Sequence, residues 1–265
     1  MTPSSNSKDF RLDGKVSVVT GGGSGIGRAI ARRFAGAGSI VHIFDLNVSD
    51  GEATCKLIRD EGGDTSAHAC DVTNQAQVKE RFAGIFRKGR VDILVNNAGI
   101  SHIGNIEGTS AEDFDRIISV NVKGFYYCMS AVVGHMKANG GGVILNMASI
   151  AGSAGVADRF AYSTSKGAVI AMTYSVARDY LQHKIRCNCI SPARVHTPFV
   201  DGYLRKNYPG REEEMFEKLS KAQPIGRMAR PDEVGALALF LCSEEAGFIT
   251  GCDYPLDGGF FNLHG

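Results

Sequence analysis

The 265-residue chain contains no tryptophan and has no excess of either charge: 29 Lys and Arg stand against 28 Asp and Glu. Binders of nucleic acid or of anionic membrane surfaces draw much of their affinity from a basic excess, so this balance argues against both partners. Long apolar runs are also missing. The longest fall far short of the roughly 18 residues that span a bilayer. The opening MTPSSNSKD is polar and lacks the apolar core of a secretory signal. Residues 1–10 are expected to form a flexible tail, and the chain is read as cytoplasmic. The 7 cysteines, at 55, 70, 128, 187, 189, 242 and 252, match no metal-ligand spacing, so no metal is expected. They are expected to be small buried side chains in a reducing compartment, with Cys187 and Cys189 on opposite faces of a strand. No repeat or low-complexity linker marks a second domain.

Alternation is what the sequence does contain. Strand-like runs fall at 16–19, 40–44, 65–70, 91–95, 143–147, 185–190 and 253–256, with helical patterns between them. That order implies parallel pairing through right-handed crossovers, an α/β sheet with helices on both faces. The first run leads into glycines at 21, 22, 23, 25 and 27, then directly into RAIARRFAGAG. Glycines let a backbone approach phosphates, and a helix N-terminus supplies amide donors to them. A flexible turn is the plain alternative. Asp45 ends the second run, where an acid would accept hydrogen bonds from an adenosine ribose and repel a 2′-phosphate. Residue 46 is Leu rather than Arg, and Ser24 carries no charge. The cofactor is therefore read as NAD, with a turn-capping acid as the other reading of Asp45.

Tyr162 and Lys166 are spaced Y-x-x-x-K within an Ala-rich helical pattern, which puts them on one helix face. Such pairs often lie on solvated faces. Beside an ammonium, however, a phenol that ordinarily titrates near ~10 loses its proton more readily and becomes a general base. Bringing it near 7 takes roughly 4 kcal/mol, which the Lys166 charge and a bound nicotinamide cation are expected to supply together.

These residues resemble the short-chain dehydrogenase/reductase family over nearly the whole chain. Thr20 to Gly27, with Gly21, Ser24, Gly25, Ile26 and Gly27, matches its TGxxxGIG turn. Asp71-Val72, Asn97 and Gly99 in NNAG, Asn121 in SVNVKG, and the trio Ser149, Tyr162 and Lys166 match its later motifs. Pro192 to Thr197, including Val195, matches its loop after strand six; Ala193 stands where the family usually has Gly. The resemblance implies a single Rossmann-type domain over 11–265, doubly wound, with a parallel seven-stranded sheet in the order 3-2-1-4-5-6-7. It also implies hydride exchange with nicotinamide, a catalytic tetrad of Asn121, Ser149, Tyr162 and Lys166, and a homotetramer. Within it, Ser149 holds the substrate oxygen, the backbone near Asn121 holds a water leading from Lys166 to solvent, and Thr197 meets the carboxamide.

The substrate is read as a small polar secondary alcohol or ketone. Arg159 lies three residues before Tyr162, and Arg194 and His196 lie in the loop facing the nicotinamide. Arginine suits a carboxylate. The surrounding segments are similar to family members that oxidise small hydroxy acids, the 3-hydroxybutyrate and 2-keto-3-deoxy-fuconate dehydrogenases. Arg205 and Lys221 are weaker candidates. Arg159 could instead pair with Asp158 or a lid glutamate, and His102 could be a satisfied surface histidine. Residues 197–224 interrupt the alternation and are expected to form one or two short helices, a substrate lid or a plain surface insertion. An NADPH-dependent carbonyl or 3-oxoacyl reductase and a non-catalytic NAD sensor are the alternative functions.

Overall fold

A computed structural model gives the fold and describes residues 9–263. Seven strands form one sheet: β1 (Val16–Thr20), β2 (Ile40–Asp45), β3 (Thr65–Ala69), β4 (Ile93–Asn96), β5 (Gly142–Met147), β6 (Ile185–Pro192) and β7 (Asp253–Leu256). Their order is β3-β2-β1-β4-β5-β6-β7, and every neighbouring pair is parallel. Both faces are covered, so the central strands are continuously apolar rather than alternating; Val18, Val19, Ile93, Leu94 and Val95 are all buried.

Helices α1 (Gly25–Gly36), α2 (Val48–Asp60) and α9 (Pro231–Cys242) cover one face. Ile30, Phe34, Ile58, Val234 and Leu241 pack there against Val19, Ile43 and Val95. The other face carries α3 (Gln75–Phe86), α4 (Ala111–Ile118), α5 (Gly124–Ala138) and α6 (Phe160–Tyr180). There Phe82, Phe125, Val132 and Val169 pack on Val18, Phe44 and Leu94. The strand order reverses between β1 and β4, which opens a crevice at the carboxyl ends of the strands. The remaining two helices, α7 (Pro198–Asn207) and α8 (Glu212–Lys221), form the expected insertion after β6.

Several expectations need correction. Cys187 and Cys189 lie in one core layer, not on opposite faces, because strand residues two apart share a face. The fourth strand starts at Ile93 rather than 91, because the Val91 amide turns to His135 Nε2. The helical pattern between the fourth and fifth strands is not one regular helix. A π-helical turn, Ser119–Lys123, joins α4 to α5. The combined stretch Ala111–Ala138 has 28 residues and contains an 18-residue window with a mean hydropathy of 1.2, long and apolar enough to cross a membrane by length and composition. Apolar length was thus underestimated. Yet Ile117, Phe125, Cys128, Val132 and Met136 are wholly packed in the interior, as in a core helix. Of the expected tail, residues 1–8 lie outside the described residues. Phe10 is tied down: its amide donates to Glu245 at 2.9 Å, and its ring meets Phe240 edge-on.

Candidate active site

The crevice opens into a cleft of about 620 Å³, within the size range of small-molecule and cofactor sites. One end is built on the glycine turn. A Cβ at Gly27 would stand 2.1 Å from the Gly21 carbonyl oxygen, so only glycine lets α1 start this close to β1. Gly25 adopts φ +51, which turns the chain into α1. Ser24 caps that helix without a side-chain bond, leaving the first-turn amides without a protein acceptor from their cap. Thr20 Oγ1 accepts from the amides of Asn97 (2.9 Å) and Ala98 (3.0 Å), pinning the loop after β4 against the turn. Gly21, Ser24, Gly25, Ile26, Asn97 and Gly99 line the cleft; Gly27 lies beneath it.

Asp45 lines the cleft at the end of β2. Its Oδ2 accepts from the Gly23 amide (2.9 Å) and its Oδ1 from Asn47 (3.0 Å), with a lone pair remaining on each oxygen. The nearby Arg28 is turned away, donating to the Gly23 carbonyl and Thr54. Asp71 and Val72 complete this end, and Pro192, Val195 and Thr197 form the opposite wall. The glycine cradle, uncapped amides and ribose-side carboxylate together fit a nicotinamide dinucleotide.

Ser149, Tyr162 and Lys166 all border the same cleft. Ser149 leaves β5 in an extended conformation; its Oγ accepts from the Ala151 amide at 3.2 Å and is close enough to the Tyr162 phenol to pull its pKa down. Lys166, 4% exposed, donates to the Met147 carbonyl at 2.7 Å. Asn121 is fully buried in the π-helical turn. Its Oδ1 accepts from the Ile100 amide (2.9 Å), and its Nδ2 donates to the Ile100 carbonyl (2.9 Å) and Ser165 Oγ (3.0 Å). Ser165 in turn donates to the Tyr162 carbonyl at 2.7 Å. Asn121 therefore ties the loop after β4 to the helix carrying Tyr162; both Nδ2 hydrogens are used, and one lone pair remains on Oδ1.

Burial pushes the Tyr162 phenol above its ordinary value, although the ring keeps an edge in the cleft; the Ser149 hydroxyl and the Arg159 charge pull it partly back. Burial also lowers Lys166 to about 8. Its Nζ sits 5.7 Å from the Tyr162 ring centroid and is directed at Met147. The packing that brings the two groups together desolvates both, and this opposes charge on either.

Arg159 and Arg194 reach the other end of the cleft. The Gly104 amide donates to Asp158 and Phe160 donates back to Gly104, which fixes Arg159 at the start of α6. Arg159 donates to Ser101 Oγ (2.8 Å) and the His102 carbonyl (3.3 Å). Arg194 is held by a backbone bond from Ala229 to its carbonyl, and burial and the Arg159 charge both lower its pKa. Neither arginine makes a salt bridge among the described residues. The alternative pairing of Arg159 with Asp158 or a lid glutamate is absent among them.

Comparison with known proteins places this geometry. A family profile described as enoyl-(acyl carrier protein) reductase matches residues 21–261. D-threitol dehydrogenase of Mycolicibacterium smegmatis is 40% identical over 256 residues, 95% of each chain. The chain belongs to the short-chain dehydrogenase/reductase family. It is an oxidoreductase of that family. A solved family member from Burkholderia xenovorans superposes with a TM-score of 0.92 at 35% identity, covering 96% of this chain and 99% of that one. A Beutenbergia cavernae protein described as an NAD(P)-dependent gluconate 5-dehydrogenase, with NADP bound at low occupancy, gives 0.89 at 30% identity, covering 96% and 99%.

Against this family site, the weaker candidates fall away. His196 does not border the cleft; it pairs with Asp201 at 2.9 Å and packs edge-on to Phe216. Lys221 pairs with Glu217, and Arg205 lies off the cleft. His102 is mostly buried rather than a satisfied surface group, and its Nε2 has no partner among the described residues. The sequence reading missed Tyr203, Gln223 and Phe260, which line the cleft. For the first two, the only signal was membership of the predicted insertion. For Phe260 it was the aromatic character of the C-terminal segment.

Proposed function

We propose that this chain is an NAD-dependent dehydrogenase that interconverts a small polar secondary alcohol and its ketone, with a hydroxy acid or sugar acid as substrate class. The supporting observation is that Ser149, Tyr162 and Lys166 converge on one dinucleotide-sized cleft, which Arg159 and Arg194 also line without carboxylate partners among the described residues. In this reading Gly21, Ser24, Gly25, Ile26, Gly27, Asn97 and Gly99 receive the pyrophosphate side of the cofactor. Asp71 and Val72 meet the adenine, Asp45 meets its ribose, and Pro192, Val195 and Thr197 meet the nicotinamide. Bound NAD⁺ supplies the hydride acceptor. Ser149 donates a hydrogen bond to the substrate oxygen. Tyr162, as phenolate, takes the hydroxyl proton, and Lys166 with the backbone near Asn121 carries it toward solvent. The two arginines hold a carboxylate, which supplies the counter-charge the cleft lacks.

The Asp45 carboxylate would repel a 2′-phosphate, which favours NAD. NADP in the gluconate dehydrogenase structure keeps the rival NADPH-dependent carbonyl or 3-oxoacyl reductase in view. The polyol named for the D-threitol enzyme sets a neutral competitor for the acid. Helices α7 and α8 would close over the substrate as a lid, and assembly as a cytoplasmic homotetramer is part of the proposal. The seven free thiols support a reducing compartment. Initial rates of NADH or NADPH formation across hydroxy acids, sugar acids, aldoses and polyols test it. A hydroxy acid with NAD⁺ should give the highest kcat/KM; preference for NADP⁺ would overturn the reading of Asp45.

A further inference from the structure

One polar group in the cleft is left without a role by the proposed function. Gln223, just beyond α8, is 4% exposed and lines the cleft. Its Oε1 is buried without a hydrogen-bond partner among the described residues. Buried amide oxygens are almost always paired, because leaving one unpaired is costly. The adjoining cleft-lining side chains Leu219, Met228 and Phe260 are apolar and offer no proton. Nor is the residue free to swing away. Its amide donates to Ser220 (3.1 Å), its carbonyl accepts from Gly226 (2.7 Å), and Ile225 donates to Gly258 (3.0 Å). A hinge tied to the C-terminal segment thus holds Gln223 at the cleft wall from a fixed backbone rather than from the body of a lid helix.

We propose that Gln223 Oε1 accepts a hydrogen bond from a substrate hydroxyl other than the one being oxidised, and so selects polyhydroxy substrates over simple ones. This inference rests on the proposed function. An amide oxygen repels a carboxylate, which belongs with Arg159 and Arg194. The reacting hydroxyl belongs with Ser149 and Tyr162. The unpaired Oε1 accepts and so calls for an additional O–H. The substrate class that satisfies all three is a sugar acid, a carboxylate with a secondary alcohol and at least one more hydroxyl. Gln223 is a specificity residue in this scheme and takes no part in proton or hydride transfer.

Gln223→Met keeps the length of the side chain and removes the acceptor; Gln223→Glu retains an acceptor. The probes are D-gluconate and 3-hydroxybutyrate with NAD⁺, and sorbitol and 2-butanol as neutral counterparts. For Gln223→Met, kcat/KM for D-gluconate should fall about tenfold, mainly through KM, while 3-hydroxybutyrate stays within about twofold. The ligand-free Tm should hold or rise by about 2–4 °C, since a buried unpaired group is removed. Gln223→Glu should recover part of the D-gluconate rate. Equal loss on both acids, or a fall in Tm, would overturn the inference. If wild-type enzyme ignores both acids and oxidises sorbitol, the hydroxy-acid reading fails separately. The sorbitol and 2-butanol pair then decides: loss on sorbitol alone supports Gln223 as the selector, and equal loss refutes it. Should none of the four turn over, the Tm shift that D-gluconate induces in NADH-bound enzyme gives the same contrast. Its presence in wild type and loss in Gln223→Met supports the assignment; an unchanged shift, or none in wild type, refutes it.

Discussion

Arg159→Ala and Arg194→Ala, alone and combined, probe the substrate end of the cleft. Two cations sit there without an acidic partner among the described residues, and each opposes the other; burial and the Arg159 charge already lower Arg194. A substrate carboxylate would relieve that repulsion. A hydrogen bond to a charged group is worth about 1.5–3 kcal/mol, so each substitution should raise KM for a hydroxy acid about 10- to 150-fold. If both arginines grip one carboxylate, the double variant should lose less than the product of the single losses. Neutral polyols should react as before or better. The two variants should also differ in pH dependence. Arg159 helps pull the Tyr162 phenol down, whereas Arg194 is not among the groups acting on it. Arg159→Ala should therefore move the alkaline rise in kcat to higher pH, and Arg194→Ala should leave it in place. Initial rates by NADH absorbance from pH 6 to 10, on one hydroxy acid and one polyol, read both effects. Unchanged KM for the acid, or equal loss on the polyol, would refute carboxylate binding.

Asp45→Asn removes the ribose-side charge but keeps an acceptor for Gly23, so the kcat/KM ratio of NADP to NAD should rise at least about tenfold, the scale of one relieved like-charge contact; an unchanged ratio contradicts the cofactor reading. Lys166 is lowered from its ordinary 10.5 to about 8 by burial. Below pH 8 both folded and unfolded chains hold the proton and the native state carries the full penalty; between about 8 and 10.5 only the unfolded chain holds it, so stability rises with pH across that window by roughly 3 kcal/mol. Denaturant unfolding of the ligand-free protein should show that rise in wild type and its loss in Lys166→Met; parallel curves would mean that Lys166 is not buried.

The fold was legible because the buried strands are continuous runs such as ILVN and because glycines 21–27 sit between a strand and a helix. Tyr162 and Lys166 could be singled out by their spacing on one helix face, whereas Ser149 and Asn121 came only from the family resemblance; Ser149, Tyr162 and Lys166 border one cleft. The setting of Asn121 was not legible: nothing in SVNVK distinguishes a π-helical turn from an α-helical one, since both are read from the same apolar pattern. The burial that raises Tyr162 in the ligand-free chain was not legible, because spacing gives proximity along a helix and not the surrounding desolvation. Gln223 and Tyr203 could not be found in advance. Their places in the cleft arise from how α7 and α8 fold back over it, a tertiary event with no local sequence period.

The Tyr162→Phe variant offers the most direct test of the proposed chemistry, with NADH binding measured by fluorescence beside single-turnover hydride transfer at 340 nm. The account predicts unchanged NADH affinity and a transfer rate reduced about 10²- to 10⁴-fold, the range for loss of a general base. Transfer at the wild-type rate would contradict it, and so would a wild-type protein that binds NADH yet turns over no alcohol in the panel.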